Sequence, residues 1–275
     1  MIHVVTDSTS DIPAGVCREL DITVVPAHII FGLQTYEDGI NLTREEFYQR
    51  LSNEPQLPTT SAPSAGEFVE VYQRLGGEIV SIHLAARLSA IYAAAHTASR
   101  MVNNANVVVF DSTQVSMGIG WQVITAARAA EQGQSSAQII QRLETLRPRT
   151  HVYAVLNTLE YLQRSGRVSW ARGLIGQLLK IKPILEVRDG EVQLTDRVRT
   201  RHRSIERLKE KVVALGALES LAVLHTHALA EAQQLADEFR VLVPILHDPI
   251  VISEASTAIG SYAGSSALGV AVTTA

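Results

Sequence analysis

Short apolar runs alternate with helical segments over residues 1–146, and this alternation restricts the fold of the 275-residue chain more than any other feature. Ile2–Thr6, Glu78–His83 and Asn106–Phe110 read as buried strands, and Ile22–Phe31 as extended chain interrupted at Pro26. The patterning predicts helices over Pro13–Leu20, Leu88–Val102 and Val115–Glu131. Three more start at Thr43, Ser64 and Ser135 and run to about Leu51, Leu75 and Leu146. Strands joined one after another by helices need crossover connections, which points to a parallel sheet covered on both faces. Local signals agree. Thr43-Arg-Glu-Glu46 and Ser64-Ala-Gly-Glu67 have the capping-box spacing, in which the hydroxyl and the glutamate each satisfy a free backbone N–H. Pro13 suits a first helical turn, with Asp11 or Ser10 as the expected cap.

The pattern changes after Pro148. A strand is predicted at His151–Leu156, with helices around Leu159–Arg164 and Trp170–Leu179. Asp189-Gly190 separates the runs Pro183–Arg188 and Glu191–Thr195, a strong hairpin signal. Then follow a helix at Ser204–Leu215, a strand at Leu221–His225 and a helix at Ala228–Phe239. Strands are expected near Val241–Leu246, Ile250–Ser253 and Leu268–Thr273. The hairpin makes this half mixed rather than purely parallel. At roughly 100–200 residues per domain, the expected fold class is α/β in two domains. Residues 1–147 form an N-terminal parallel sheet flanked by helices, and residues 148–275 a C-terminal mixed α/β sheet domain.

Composition narrows the function. With 46% apolar and 19% charged residues there is ample material for a core. A formal charge of −4 and no long basic run argue against a nucleic-acid partner. Cys17 is the sole cysteine, so neither an intramolecular disulfide nor a thiolate metal cluster can form. No basic segment followed by an apolar stretch opens the chain, and no apolar run reaches the ~18 residues a membrane span needs. The expectation is a cytoplasmic protein without stable membrane insertion. No Walker A loop and no G-x-S-x-G elbow occur, which removes the best-known nucleotide-kinase and hydrolase signatures.

Three polar clusters follow predicted strands: Thr6-Asp-Ser-Thr-Ser10, Pro58-Thr-Thr-Ser-Ala-Pro-Ser64 and Asp111-Ser-Thr113. Ligands of open parallel sheets sit outside the carboxyl ends of strands, where helix N-termini offer free amides to an anion. The same residue types are the preferred caps and turn formers. Thr59, Thr60 and Ser61 exceed what one cap requires and are bracketed by stiffening prolines. Ser89 either caps the following helix or turns its hydroxyl toward an anion. Arg197, Arg199, Arg201 and Arg203 alternate, so on a strand they share one face, solvated or poised over an anion. His225, His227 and Asp248, with His247 beside it, form a weaker alternative as metal ligands.

In order and spacing, several stretches resemble one family. They are Val5-Thr-Asp-Ser-Thr-Ser-Asp-Ile-Pro13, Val24-Val-Pro26, Tyr36-Glu-Asp-Gly39, Pro58-Thr-Thr-Ser61 with Ser64, and Leu88-Ser89 with Tyr92. Val109-Phe-Asp-Ser112, Ser116-Met-Gly-Ile-Gly120, Ser165-Gly-Arg167, Leu179-Lys-Ile-Lys-Pro-Ile-Leu185, Arg199-Thr-Arg201, Ala258-Ile-Gly260 and Leu268-Gly269 continue the series. The pattern is similar to the DegV family, also called the fatty-acid-binding or EDD-fold family. The resemblance implies a non-catalytic two-domain protein that needs no cofactor. It binds one long-chain fatty acid and presents the carboxylate to a separate fatty-acid kinase subunit for phospholipid synthesis. It also implies that hydroxyls of Thr60, its neighbours Thr59 and Ser61, and Ser89 hold the carboxylate, with Arg201 near the head group. Two stretches depart from the family. Ala85-Ala-Arg87-Leu-Ser-Ala-Ile91 lacks several of the family's hydroxyls and glycines, with Arg87 as a compensating cation, and Tyr262 stands where the family has a histidine.

The physics suits a lipid. Burying ~15 methylenes at about 0.8 kcal/mol each yields on the order of 10 kcal/mol before association costs. The buried carboxylate then requires hydroxyl, amide or arginine partners. The alternative class is an enzyme acting on a small anionic metabolite at the same strand ends.

Overall fold

The structure is a computed structural model describing residues 2–54, 56–168, 181–243 and 248–275. Strands β1 (Ile2–Asp7) and β2 (Ile22–Val25) are followed by β3 (His28–Phe31), β4 (Gln34–Glu37), β5 (Thr59–Ser61), β6 (Gly77–His83) and β7 (Ala105–Asp111). The intervening helices are α1 (Ala14–Glu19), α2 (Arg44–Asn53), α3 (Ala65–Leu75) and α4 (Ile91–Ser99). Then come α5 (Met117–Glu131) and α6 (Ser136–Leu146). The second half contains β8 (Thr150–Val155), α7 (Glu160–Ser165), β9 (Lys182–Arg188) and β10 (Glu191–Val198). It continues with α8 (Arg201–Val213), β11 (Leu218–His225), α9 (Leu229–Leu242), β12 (Val251–Glu254), α10 (Thr257–Ala263) and β13 (Leu268–Thr274).

The expected parallel sheet is present, in the order β2-β1-β6-β7. Val4 lies opposite Ile22 on one side and Val80 on the other, which in turn faces Val108. Ser64 and Ser135 form complete capping boxes, whereas Thr43 accepts only the amide of Glu46, at 3.2 Å. The second sheet runs β10-β9-β8-β13-β11-β12, antiparallel except for the parallel pair β11 and β12. Asp189 and Gly190 both take positive φ (51° and 76°), the conformation a two-residue hairpin of this twist needs.

Helix α5 joins the two sheets. Eleven of its residues are buried, as expected of a helix apolar all round. Ile119 and Val123 enter the core of the parallel sheet. Met117, Trp121 and Ile124 pack with Val152, Val187 and Ala271 of the second sheet. Trp121 donates its indole N–H to the Ala271 carbonyl at 3.0 Å.

Several expectations need correction. Residues 59–61, read from the sequence as a polar cluster between prolines, are an edge strand. With β3 and β4 they make a small antiparallel sheet in which Thr60 pairs with Ile29 and Ser61 with His28. Asp11 does not cap α1, whose N-cap is Pro13; it is a buried residue at positive φ (53°) bonded elsewhere. The arginines do not share a strand face. β10 ends at Val198, and Thr200 caps α8 by accepting from Arg203 N at 3.2 Å, so Arg201 and Arg203 are helical. Val241 and Leu242 end α9 and Val243 caps it rather than continuing a strand; residues 244–246 of that expected strand and the helix Trp170–Leu179 lie outside the described residues. Helix α10 was not expected, because its sequence, flanked by Ser, Thr, Ala and Gly, carries no amphipathic period. No helix of the described residues is long and apolar enough to cross a membrane.

α10 packs tightly on α2. A Cβ at Gly260 would lie 2.7 Å from Tyr48 Oη and 2.9 Å from Phe47 Cε1, both in buried rings. Gly260→Ala is expected to destabilise the fold by about 1–3 kcal/mol through overpacking. A denaturant midpoint equal to that of the unsubstituted protein would contradict this packing.

A hydroxyl-lined apolar cavity as the candidate site

The opening polar stretch mostly satisfies buried groups. Asp7 Oδ2 accepts from His83 Nδ1 at 2.9 Å and Leu84 N at 3.2 Å, and its Oδ1 accepts from Thr9 N at 3.1 Å and from the Thr9 hydroxyl. His83 Nε2 lies 2.6 Å from Ser81 Oγ, which lies 2.8 Å from Tyr72 Oη. Ser8 donates to Asp38 Oδ2 at 2.7 Å, while Asp38 Oδ1 accepts from the amide and hydroxyl of Thr257 at 3.0 and 2.7 Å. Asp11 accepts from Ser256 N at 2.8 Å and pairs with the Ser116 hydroxyl. Asp11 and Asp38 thereby fasten the start of α10 to the loops beside the parallel sheet. Each buried carboxylate has the partners its desolvation requires. Burial pushes the Asp11 carboxyl up from 3.8 to about 7; bonds from Ser116 and Ser256 and the charge of Arg44 oppose the shift, and Asp38 adds to it. In the third polar cluster, Asp111 accepts from Thr113 N at 2.9 Å and Ala86 N at 3.2 Å, as a turn former does.

A cavity of about 170 Å³ lies between the parallel sheet's loops and the second sheet. Its walls are mainly aliphatic: Leu84, Leu88 and Ile91; Val152, Ala154 and Leu156; Leu185, Val187 and Val192; and Ala258 and Ile259 of α10. Among the described residues, the polar lining consists of the hydroxyl residues Thr9, Thr60, Ser61, Ser89 and Tyr262, together with Arg167. The edge strand β5 presents Thr60, held between buried Pro58 and Pro63. Ser89 lies before α4, and its hydroxyl accepts from Ile91 N at 3.3 Å. A second pocket of about 500 Å³ adjoins the first, and Thr59, Thr60, Arg164, Arg167 and Tyr262 are among its walls. Thr60 Oγ1 and Tyr262 Oη are hydrogen-bonded, and the Arg167 guanidinium lies 5.6 Å from the Tyr262 ring centre.

Of the residues singled out in the sequence, Thr60, Ser61 and Ser89 therefore share one cavity, and Thr59 faces the adjoining pocket. Arg201 lines neither: its Nε donates to Glu231 at 3.1 Å, and its two Nη atoms are buried with no hydrogen-bond partner among the described residues. Arg87 is exposed and pairs with Glu191 at 2.5 Å, so it adds no cation to the lining. Thr9 entered the sequence reading only as part of the Thr6–Ser10 cluster, and Arg167 only within the stretch Ser165-Gly-Arg167; no local pattern ties Arg167 to Thr60, more than a hundred residues away.

The metal alternative does not assemble. Buried His225 accepts from Ala228 N at 3.4 Å, and burial lowers its pKa. Positive φ (51°) turns His227 outward, its ring 5.3 Å from that of Tyr48. Asp248 pairs with Arg128 at 3.3 Å, and His247 lies outside the described residues. Among the described residues, no three His, Cys, Asp or Glu side chains gather as metal ligands.

Comparison with known proteins finds relatives over the whole chain. A model for uncharacterised proteins of the DegV family matches residues 1–275. A DegV domain-containing protein of Halalkalibacterium halodurans is 35% identical over 280 residues, covering 98% of this chain and 96% of that protein. The crystal structure of DegV from Bacillus subtilis, described as a fatty acid binding protein, is similar with a TM-score of 0.90 and 32% identity, covering 100% of this chain and 99% of that one. A DegV family protein from Thermus thermophilus, described by its fatty acid binding, gives a TM-score of 0.91 at 28% identity, with 100% and 99% covered.

Proposed function

The chain belongs to the DegV family, and on that premise we propose that it binds a long-chain fatty acid and has no catalytic residues of its own. The observation that carries this reading is the composition of the cavity wall: among the described residues it is aliphatic except for five hydroxyl residues and one arginine. An alkyl tail gains from the aliphatic wall, at about 0.8 kcal/mol per buried methylene. A carboxylate is an acceptor only, and neutral hydroxyls are donors that turn to meet it. Thr60, Ser61 and Ser89 hold the head group in this reading, with Thr59 at its outer side. Residues 1–147 supply the head-group loops and residues 148–275 cover the tail. The solved relatives described as fatty acid binding support the ligand class.

The same reading includes delivery. Thr60 and Tyr262 stand where the cavity meets the outer pocket, so a head group held there is offered to a partner, a fatty-acid kinase subunit that forms an acyl phosphate. Organic extraction and native mass spectrometry of the purified protein test the binding step. The expected result is one long-chain acid per chain, carried through purification or taken up on addition. A protein that neither carries nor takes up such an acid overturns the proposal.

A further inference from the structure

The second sheet meets the cavity as successive rows of side chains. Val152 pairs with Val187, which pairs with Val192, and in the next row Ala154 pairs with Leu185. All five line the cavity, as does Leu156 just past the end of β8; alternate residues of a strand share one face. The rows have a direction. Tyr262 packs with Leu156 and Leu185, and the chain leaving α10 soon reaches Leu268, which pairs with Val155. The Thr60–Tyr262 pair therefore stands at the Leu156 end. Val152 lies four residues back along the strand, about 13 Å at the usual rise of a β-strand.

The Val152 row is backed by packed atoms. Val152 and Val187 belong to one buried cluster with Met117 and Trp121 of α5. A Cβ added at Gly118 would lie 2.5 Å from Val152 Cγ2, so the backbone of α5 stands directly behind that valine. Just beyond Val187 and Val192, the hairpin turn is fastened to the N-terminal half: Gly190 N donates to the Thr113 carbonyl at 3.2 Å, and Arg87 pairs with Glu191 at 2.5 Å.

We propose that the row Val152–Val187–Val192 is the blind end of the cavity and sets the longest acyl chain the site accepts. This rests on the fatty-acid reading above and deepens it. With the carboxylate held at Thr60, each added methylene advances the tail toward this row. Two more methylenes gain about tenfold in affinity while aliphatic wall remains to be covered. A tail that reaches the row has to fold back or push apart packed side chains, and overpacking then cancels the gain.

An equimolar mixture of laurate, myristate, palmitate, stearate and arachidate, delivered from cyclodextrin, tests this. It is equilibrated with the purified protein, and the bound acids are extracted and quantified. The unsubstituted protein is expected to enrich one length and to take up the next longer acid at least fivefold less. Val187→Ala is expected to erase that discrimination, and Val192→Phe to move the optimum to a shorter acid. Ile259→Ala, on α10 and away from the row, is expected to weaken all lengths by a similar factor. Val192→Ala, at a half-buried position, repeats the measurement should Val187→Ala fold poorly by circular dichroism. A length profile unchanged in the folded valine variants, or moved as far by Ile259→Ala, overturns the end wall. So does an unsubstituted protein whose preference still rises at arachidate. An unsubstituted protein that takes up none of the five acids overturns the fatty-acid reading itself, so the two failures are distinct.

Discussion

A chain with alanine at both Thr60 and Ser89 is expected to hold palmitate about a hundredfold less tightly, at little cost to its fold. A hydrogen bond to a charged group contributes about 1.5–3 kcal/mol, so losing two removes at least ~3 kcal/mol, and 1.4 kcal/mol is a factor of ten. The two hydroxyls are two of the few donors on a wall whose other residues are mainly aliphatic, so a carboxylate losing both loses much of its pairing. The fold loses less. Thr60 is half-buried, and its hydroxyl bonds Tyr262 rather than the backbone. Ser89 gives up one bond from Ile91 N, a loss comparable to a helix cap, about 0.5–2 kcal/mol. Palmitate affinity and the denaturant midpoint, measured on the same preparations, separate the two effects. Hexadecanol supplies the control: lacking the charge, it should lose far less affinity. An unchanged palmitate affinity in the double variant would remove the hydroxyl residues from the head-group site.

How legible this site was depends on the distance over which each contact is encoded. Strands β1, β6 and β7 were readable because each is a local apolar run, and the box at Ser64 and the cap at Ser135 because their partners lie three residues on. The hydroxyls of residues 59–61 stood out by number alone. Their strand did not, since three residues between prolines carry no period and the pairing partner is β3, about thirty residues earlier. Arg201 was misplaced by an i, i+2 alternation that suggested a strand. Thr200, a good N-cap, was the competing local signal, and it prevails in the structure. Tyr262 was visible only as a departure from a family pattern, because its contact with Thr60 spans 202 positions. Likewise, the polar residues after β1 read as a ligand rim. Their actual partners, such as Ser116, Ser256 and Thr257, are brought up only by the closing of the whole chain.

Asp11 gives the second large effect, on stability rather than binding. Its carboxyl, fully buried and lifted to about 7 by desolvation, keeps a proton in the folded chain that the unfolded chain, with the ordinary value of 3.8, releases. The folded state therefore binds more protons between these values, so this group's contribution to stability is complete below about pH 4 and is lost as the pH rises through 7. At 1.36 kcal/mol per unit, the full loss is about 4 kcal/mol above neutrality. Asp11→Asn should remove this dependence without breaking the site. An amide can accept from Ser256 N through its oxygen and donate to the Ser116 hydroxyl through its nitrogen. Asparagine is also among the few residues at ease at the positive φ of 53° found here. The unfolding free energies of the two proteins should nearly coincide near pH 4 and diverge as pH rises, with the asparagine variant the more stable at pH 8. Parallel curves across that range would mean that Asp11 is ionised in the folded chain, with Arg44, Ser116 and Ser256 compensating its burial in full.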